Sequence, residues 1–240
     1  MSERTALVVG GTSGIGLAAA RMLRQRGATV HIGGRGSERL AAVAGTDPEL
    51  IGHRLDAGDP AAVRAVVAEI GVVDWLVVTV GGFGGPGPIA DLDLAVLREE
   101  FDAKFWAQLG TIQSALPHLA PDGSITLLSA ITARGAIPGS AGVAAINGAI
   151  EALVRPLAVE LGPIRVNAVA PGAVDSPWWT GAGMSDEVRR GYFDQVTRAL
   201  PTRRVATVED IAEALVLVAT NPNLTGTVIE ADGGMHLVSL

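Results

Sequence analysis

The sequence contains no cysteine, so it forms neither disulfide bonds nor thiolate metal sites. Only four histidines are present, and they lie on separate predicted elements without the spacing of metal ligands. We therefore predict no metal site and expect structural roles for His31, His53, His118 and His236.

Positive charge is also sparse: lysine and arginine together number 18 in 240 residues, are not clustered, and leave a net charge of −7. A nucleic-acid surface needs a basic patch, so we expect no such partner. Asp74 and Glu213 interrupt the two longest apolar runs, and we expect no membrane span. The first predicted strand begins close to Met1, so we expect no signal peptide. These features predict a cytoplasmic protein.

What remains is an apolar chain with 48% hydrophobic residues and 31 glycines, which is typical of a globular protein. Its length fits a single α/β domain over residues 1–240. We predict strands at 5–10, 28–33, 50–55, 74–80, 124–129, 164–170 and 227–230, and helices at 14–26, 37–44, 60–70, 92–119, 142–161 and 208–220. The segment 176–200 reads as irregular and amphipathic. This alternation predicts a doubly wound parallel sheet with helices on both faces.

The stretch from Leu7 to Leu17 carries the strongest functional pattern, because an apolar strand ends there in a glycine loop that opens a helix. Gly10 permits a sharp turn, Gly14 lets backbone approach a pyrophosphate, and Gly16 allows helix and strand to pack closely. The N–H groups at the start of the helix then face the phosphates. We predict a dinucleotide site here, with a plain strand-to-helix turn as the alternative.

The chain resembles the short-chain dehydrogenase/reductase family along essentially its whole length. The glycine loop is similar to that family's T-G-x-x-x-G-x-G, with Val9 at the threonine position, and Asp56 resembles its adenine-contacting aspartate. Residues 164–172 and 231–234 resemble its sixth-strand signature and its closing D-G-G. The resemblance implies a seven-stranded Rossmann sheet, a dinucleotide cofactor, a substrate lid at about 176–200, and a homo-oligomer, usually a tetramer.

The choice of cofactor depends on the end of the second strand. A site for NAD places an acidic residue there to accept the ribose hydroxyls, but this strand ends in Gly33, Gly34 and Arg35. Arg35 suits a 2′-phosphate, so we predict NADP(H); a surface arginine is the alternative. The predicted cofactor-binding residues are Gly10, Thr12, Ser13, Gly14, Ile15, Gly16, Arg35, Asp56, Ala57, Val80, Gly81, Gly82, Lys104, Pro171, Gly172, Val174 and Ser176.

The resemblance fails at the catalytic residues. The family's tyrosine, lysine, serine and asparagine positions hold Val143, Asn147, Ala130 and Lys104, respectively. The only tyrosine, Tyr192, lies far beyond this region of the sequence. Because valine has no ionisable proton, the family's usual proton transfer has no donor at that position.

Lysine and asparagine have exchanged helices, and Lys104 is the only lysine in the chain. A desolvated lysine acts as acid or base, whereas arginine keeps its proton. We hypothesise that Lys104 holds the cofactor ribose or protonates the substrate, with Asn147 and Ser129 completing the candidate catalytic set. Chance placement of Lys104 and a strand-capping role for Ser129 are the alternatives.

Weaker candidates lie on the loops around the predicted site. Thr132, Arg134 and Ser140 follow the fifth strand on the expected substrate side. Trp178, Trp179 and Tyr192 lie in the lid segment and either stack on a substrate or pack across a subunit contact. Residues 81–88 are mostly glycine and proline, with Phe83 as the one bulky side chain; they either approach a ligand through backbone or form a flexible connector. The resemblance implies that helices 92–119 and 142–161 pair across a two-fold axis.

Three functions remain open on this sequence. The first is an NADPH-dependent carbonyl reductase with a rearranged proton donor. The second is a non-redox enzyme, such as a cyclase, dehydratase or isomerase. The third is a catalytically silent NADP-binding subunit or sensor. The fold alone does not choose among them, because function depends on the site.

Overall fold

A computed structural model of the chain describes residues 4–82, 84 and 86–238; Phe83 lies outside the described residues. Seven strands of the described chain form one parallel sheet in the order β3-β2-β1-β4-β5-β6-β7. They are β1 (Thr5–Val9), β2 (Thr29–Gly34), β3 (Ile51–Arg54), β4 (Val73–Val78), β5 (Leu119–Leu128), β6 (Arg165–Pro171) and β7 (Val228–Ala231). The order reverses between β1 and β4, so the doubly wound sheet is confirmed.

Helices cover both faces of the sheet. They are α1 (Gly14–Gln25), α2 (Ser37–Thr46), α3 (Pro60–Ile70), α4 (Leu94–Phe101), α5 (Ala107–Ala115), α6 (Ala141–Glu160), α7 (Trp178–Gly181), α8 (Asp186–Ala199) and α9 (Val208–Thr220). Alternate residues of a strand point to opposite faces, so Val8 packs under α1 and α9 while Leu7 packs under α3, α5 and α6. The carboxyl ends of the strands are left to the connecting loops.

The predicted helix 92–119 is wrong as one regular element. A π-helical segment, Asp102–Trp106, separates α4 from α5, and Lys104 lies in its middle. The helix then ends at Ala115, because Pro117 stands in the short 3₁₀ turn that follows and does not continue an α-helix. Strand β5 begins at Leu119, well before the predicted start, with a register shift against β4.

The segment 176–200 is more regular than predicted, since it contains α7 and α8. The Ser185 hydroxyl caps α8 by accepting a hydrogen bond from the Val188 N–H. Acidic Asp186 and Glu187 lie in its first turn and Arg198 in its last, which complements the helix dipole. These polar ends obscured the helical period in the sequence.

One helix of the described chain, α6, is long and apolar enough to cross a membrane by length and composition, contrary to our expectation. Core helices of soluble proteins pass the same test. Here Ile146, Ile150 and Val154 of α6 pack into the core beneath the sheet. Glu151, Arg155 and Glu160 are the only charged residues among the 20 of this helix, so its composition stays apolar.

Candidate functional site

The glycine loop between β1 and α1 has a backbone that larger residues do not fit. Gly10 has a φ of +91°, and a Cβ there would lie 2.6 Å from Thr79 Oγ1. A Cβ on Gly16 would lie 2.5 Å from the same oxygen and still closer to the Gly10 carbonyl. Gly14, with a φ of +52°, has only Pro177 near its Cβ position, at 3.7 Å. The loop therefore excludes side chains at Gly10 and Gly16 and leaves space beside Gly14.

The N-terminus of α1 is free to hold an anion. The N-cap residue Ser13 makes no side-chain capping bond, and the first turn, which includes Ile15, carries no acidic residue. The N–H groups of that turn and the positive end of the helix dipole are thus uncompensated by the described residues. Thr12 packs against the end of β2, because a Cβ on Gly34 would lie 2.5 Å from its methyl group. A phosphate group fits this arrangement.

The ends of β2, β3 and β4 supply the next predicted cofactor positions. Arg35 is exposed directly after β2. Asp56 follows β3, is exposed, and accepts a hydrogen bond from the Gly58 N–H at 3.0 Å, while Ala57 beside it is buried. The Val80 carbonyl after β4 accepts a hydrogen bond from Gln108 Nε2 at 3.3 Å.

The loop after β6 lies over the glycine loop. Pro171 ends the strand, and a Cβ on Gly172 would lie 2.9 Å from the Asp232 carbonyl oxygen, so this turn is also tightly packed. Val174 is buried and pairs with Ala206 in an isolated bridge. Ser176 follows, and the next residue, Pro177, is the neighbour of Gly14 described above. The loops that follow β1 and β6 therefore meet at Gly14 and Pro177.

Lys104 reaches across to α6. Its Nζ donates a hydrogen bond to Asn147 Oδ1 at 2.6 Å and another to the Ser129 carbonyl oxygen at 3.3 Å. Its aliphatic stem passes Gly81, whose Cβ position would be 3.5 Å from Lys104 Cδ. The two residues that appear exchanged in the sequence are therefore direct partners. Gln108, one turn along the helix, ties β4 to β5 by a further bond to the Leu128 carbonyl at 3.0 Å.

The ammonium of Lys104 is easier to deprotonate than that of an exposed lysine. Burial lowers the pKa of Lys104 to about 8, and the negative charges of Glu100 and Glu151 oppose this shift. Glu100 lies on α4 one turn before Lys104, against the backbone of Gly82. A lysine with this pKa is charged at neutral pH and can give up a proton.

Asn147 is buried and has a fixed amide orientation. Its Nδ2 donates to the Thr132 hydroxyl and to the Val143 carbonyl, both at 3.0 Å. An ammonium only donates and a carbonyl only accepts, so Oδ1 faces Lys104 and Nδ2 faces the other two groups.

The Ser129 hydroxyl is directed towards α6. It donates to Glu151 Oε1 at 2.6 Å, and Glu151 Oε2 accepts from Arg134 Nε at 2.9 Å. Arg134 also pairs with Glu230 on β7. Ser129 therefore presents its backbone carbonyl to Lys104 while its side chain belongs to a separate ionic network. Sequence reasoning missed Glu151, although its spacing of four residues from Asn147 puts both on one helix face.

The aromatic residues of 176–200 form their own cluster. Trp179 packs on Tyr192 at a ring-centroid distance of 5.1 Å and on Phe193 at 5.5 Å, and its Nε1 donates to the Val174 carbonyl at 2.7 Å. Burial raises the pKa of Tyr192. Trp178 Nε1 donates to the Gly82 carbonyl at 2.9 Å. That bond joins the segment to the glycine-rich loop after β4.

An apolar depression of about 460 Å³ lies beside the start of α6. Its lining includes Gly87, Ile89, Ile137, Pro138, Ala141 and Ala144. Ser140, also in its wall, donates its hydroxyl to the Ile137 carbonyl at 2.8 Å. A surface of this composition suits an apolar part of a ligand.

The histidines make contacts within the fold. His31 Nδ1 and His53 Nε2 lie 2.8 Å apart, since β2 and β3 are adjacent. His118 Nδ1 lies 3.0 Å from the Gly71 carbonyl, and His236 Nδ1 lies 2.8 Å from Asp232 Oδ2. Within the described ranges, no group of three or more histidine, aspartate or glutamate residues has the arrangement of a metal site.

Comparison with known proteins gives matches along the whole chain. The profile of a family described as enoyl-(acyl carrier protein) reductase matches residues 9–236. The cis-4-hydroxycyclohexanecarboxylate dehydrogenase of Sinomonas cyclohexanicum is 34% identical, over 99% of this chain and 98% of its own. A short-chain dehydrogenase/reductase of Malbranchea aurantiaca is 31% identical, over 98% and 95%. A crystal structure of a small-chain dehydrogenase in complex with NADPH is 33% identical, with a TM-score of 0.83 over 98% of this chain and 100% of that one.

Proposed function

The chain belongs to the short-chain dehydrogenase/reductase family of oxidoreductases, and on that premise we propose that it reduces carbonyl compounds with NADPH through a rearranged proton donor. The observation that carries this proposal is the 2.6 Å hydrogen bond between Lys104 Nζ and Asn147 Oδ1. It supports the proposal because the ammonium of the chain's only lysine lies within hydrogen-bonding distance of Asn147, the residue that we align with the family's lysine.

NADPH fits the residues at the carboxyl ends of the strands, where the strand order reverses between β1 and β4. The glycine loop and the uncapped start of α1 would hold the diphosphate, and Asp56 the adenine side. Arg35 would hold the 2′-phosphate, because β2 ends without the acidic residue that an NAD site uses. By the family resemblance, Ser176, which follows Pro171 and Gly172, would contact the nicotinamide carboxamide. The similar dehydrogenase solved with NADPH supports this choice. When bound, the cofactor supplies the hydride.

Lys104 performs the acid chemistry in this proposal. Carbonyl reduction leaves negative charge on the substrate oxygen, which must be stabilised and then protonated. An ammonium has three N–H donors, and the bonds to Asn147 and to the Ser129 carbonyl use two of them. The third serves the cofactor ribose or the substrate oxygen, and the pKa of about 8 suits Lys104 to donate a proton near neutral pH.

The substrate in this proposal is a carbonyl compound with an apolar body. The depression beside α6 would take that body, since its wall contains Ile137, Pro138 and Ala144. The segment 176–200 would act as the lid, held over the site by the bond from Trp178 to the Gly82 carbonyl. Excluding water there strengthens the interaction between the ammonium and the substrate oxygen.

A non-redox reaction on the same scaffold is the second candidate. The observation that favours it is Val143 at the family's tyrosine position, which removes the phenol on which ordinary reduction relies. A cyclisation, dehydration or isomerisation would use the cavity and Lys104 without a hydride. A silent NADP-binding subunit or sensor is the third.

Turnover and binding assays separate these functions. NADPH oxidation is measured across aromatic aldehydes, cyclic ketones and quinones for the wild type, Lys104→Ala and the control Arg98→Ala, which removes an exposed cation from α4. We expect turnover that Lys104→Ala abolishes and Arg98→Ala keeps. A silent panel with tight NADPH binding supports the sensor instead, and a silent panel with weak binding supports the non-redox enzyme. Full turnover and full nucleotide affinity in Lys104→Ala would remove Lys104 from the mechanism.

A further inference from the structure

The direction of the hydrogen bonds around Asn147 determines what the Thr132 hydroxyl does. Lys104 only donates, so it fixes Asn147 Oδ1 as an acceptor, and the Val143 carbonyl only accepts, so it fixes Nδ2 as a donor. The bond of 3.0 Å between Asn147 Nδ2 and Thr132 Oγ1 must therefore have the threonine as acceptor. A hydroxyl that accepts from an amide still holds its own proton for donation.

That proton has no acceptor among the residues that the structure describes. The other polar side chains of the loop after β5 are already engaged. The Ser129 hydroxyl donates to Glu151, and the Ser140 hydroxyl donates to the Ile137 carbonyl. Arg134 is held between Glu151 and Glu230. Thr132 is thus the one hydroxyl of the loop after β5 that retains a donor for a ligand.

Thr132 also stands at the right point of the fold. It lies in the 3₁₀ turn Ile131–Ala133, immediately beyond the carboxyl end of β5 and two residues after Ala130, which replaces the family's serine. Its side chain is half-buried, while the preceding Ile131 is buried in the core. The same loop continues into Ile137 and Pro138, which line the apolar depression.

We propose that Thr132 is a catalytic residue whose hydroxyl donates a hydrogen bond to the substrate's carbonyl oxygen, a role that rests on the carbonyl reduction proposed above. The chain of donors runs from the Lys104 ammonium through the Asn147 amide to Thr132 Oγ1, and each bond polarises the next. The arrangement offers the oxygen a strengthened donor in place of the absent serine and tyrosine.

The reaction balances without ionising the threonine. The carbonyl carbon gains a hydride, the π electron pair of the C=O bond becomes a lone pair on oxygen, and Thr132 stabilises that charge while keeping its proton on Oγ1. The proton that completes the alcohol comes from the Lys104 ammonium, and the resulting amine is reprotonated from solvent water. The carboxamide of Asn147 orients and polarises Thr132 but transfers no proton.

Thr132→Val tests this role, because valine keeps the shape and loses the donor, while Thr132→Ser keeps the donor. Turnover is measured with NADPH and 9,10-phenanthrenequinone. Binding of the same quinone is measured with NADP⁺, where no hydride is available, and NADPH affinity is measured by calorimetry. Thr126→Val on β5 is the control, since it removes a buried hydroxyl away from the site.

For Thr132→Val we expect kcat to fall about 100-fold, as it does when an oxyanion-hole donor is lost. We expect the affinity for the quinone to fall about fivefold. NADPH affinity stays unchanged, and Thr132→Ser and Thr126→Val stay within about threefold of the wild type, the scatter of modest substitutions. Wild-type kcat and quinone affinity in Thr132→Val would overturn the role of Thr132 and leave the proposed reduction intact. If the wild type oxidises NADPH with no member of the carbonyl panel, the proposed reduction is wrong. If Thr132→Val then also binds the quinone as tightly as the wild type does, the proposed hydrogen bond is wrong as well.

Discussion

Replacing Lys104 by methionine tests the proposed acid most directly. Methionine keeps an unbranched side chain that can lie along Gly81, but it removes the ammonium and both of its hydrogen bonds. A positioned general acid contributes about 10²–10⁴ in rate, so we expect kcat with NADPH and a quinone to fall by that factor. The fold is expected to persist, since loss of the ammonium also relieves the cost of burying a charge.

The pH profile gives the sharper form of this prediction. With a pKa of about 8, Lys104 is charged below that pH and neutral above it. A rate that needs the ammonium is therefore constant at lower pH and falls about tenfold for each unit above pH 8. Glu100 and Glu151 are the charged groups that favour the ammonium, so replacing Glu151 by glutamine would move the fall to lower pH.

The assay is kcat at saturating NADPH and quinone between pH 6 and 10, at constant ionic strength. Lys104→Arg is the matched variant, because arginine keeps its charge over the whole range and gives a lower rate without the alkaline fall. Arg98→Ala keeps the wild-type profile. The reasoning is refuted if Lys104→Met shows wild-type kcat, or if its alkaline fall coincides with that of the wild type.

Three further predictions concern the cofactor site and the packing of the fold. Arg35→Glu is expected to weaken NADPH binding, measured by calorimetry, about 10–100-fold and NADH binding far less, because a charge-assisted bond to the 2′-phosphate is lost. If the wild type binds NADH more tightly than NADPH, the predicted choice of cofactor is wrong. Gly16→Ala is expected to cost about 1–3 kcal/mol in urea unfolding through overpacking, whereas Gly45→Ala, in open space on α2, gains about 0.5–1 kcal/mol. Thr126→Val is expected to raise the free energy of unfolding by about 1 kcal/mol, because Thr126 Oγ1 is buried without a hydrogen-bond partner in the described chain. A lower free energy of unfolding would show that the hydroxyl has such a partner.

The doubly wound parallel sheet was predictable because the strand and helix periods are visible in the local sequence. Alternating strand and helix periods, together with right-handed crossovers, leave few topologies for a chain of this length. The ends of elements were less predictable. Pro117 ends the helix before β5, and a polar helix follows Ser185, where the hydrophobic pattern alone indicated irregular chain. Both depend on single residues at boundaries rather than on periodicity.

The candidate site was predictable only as a set of positions. Lys104 and Asn147 were identified from the resemblance, but the direction of each hydrogen bond depends on side-chain geometry. The sequence alone therefore did not indicate whether the hydroxyl of Ser129 or that of Thr132 is available to a ligand. The structure separates them, since Glu151 accepts from one of them and Asn147 donates to the other.

The π-helical segment explains how one helix serves both the core and the site. Phe101 and Phe105 pack against the core beneath the sheet, so an unbroken α-helix would constrain every position between them. A π-helical turn contains an additional residue, which changes the direction of the side chains beyond it. Lys104 lies within that turn and reaches Asn147, while Ala107 and Ile112 further along α5 are still buried. The π-helical turn therefore places a charged side chain at the carboxyl ends of the strands, while the apolar face of the helix stays packed against the core.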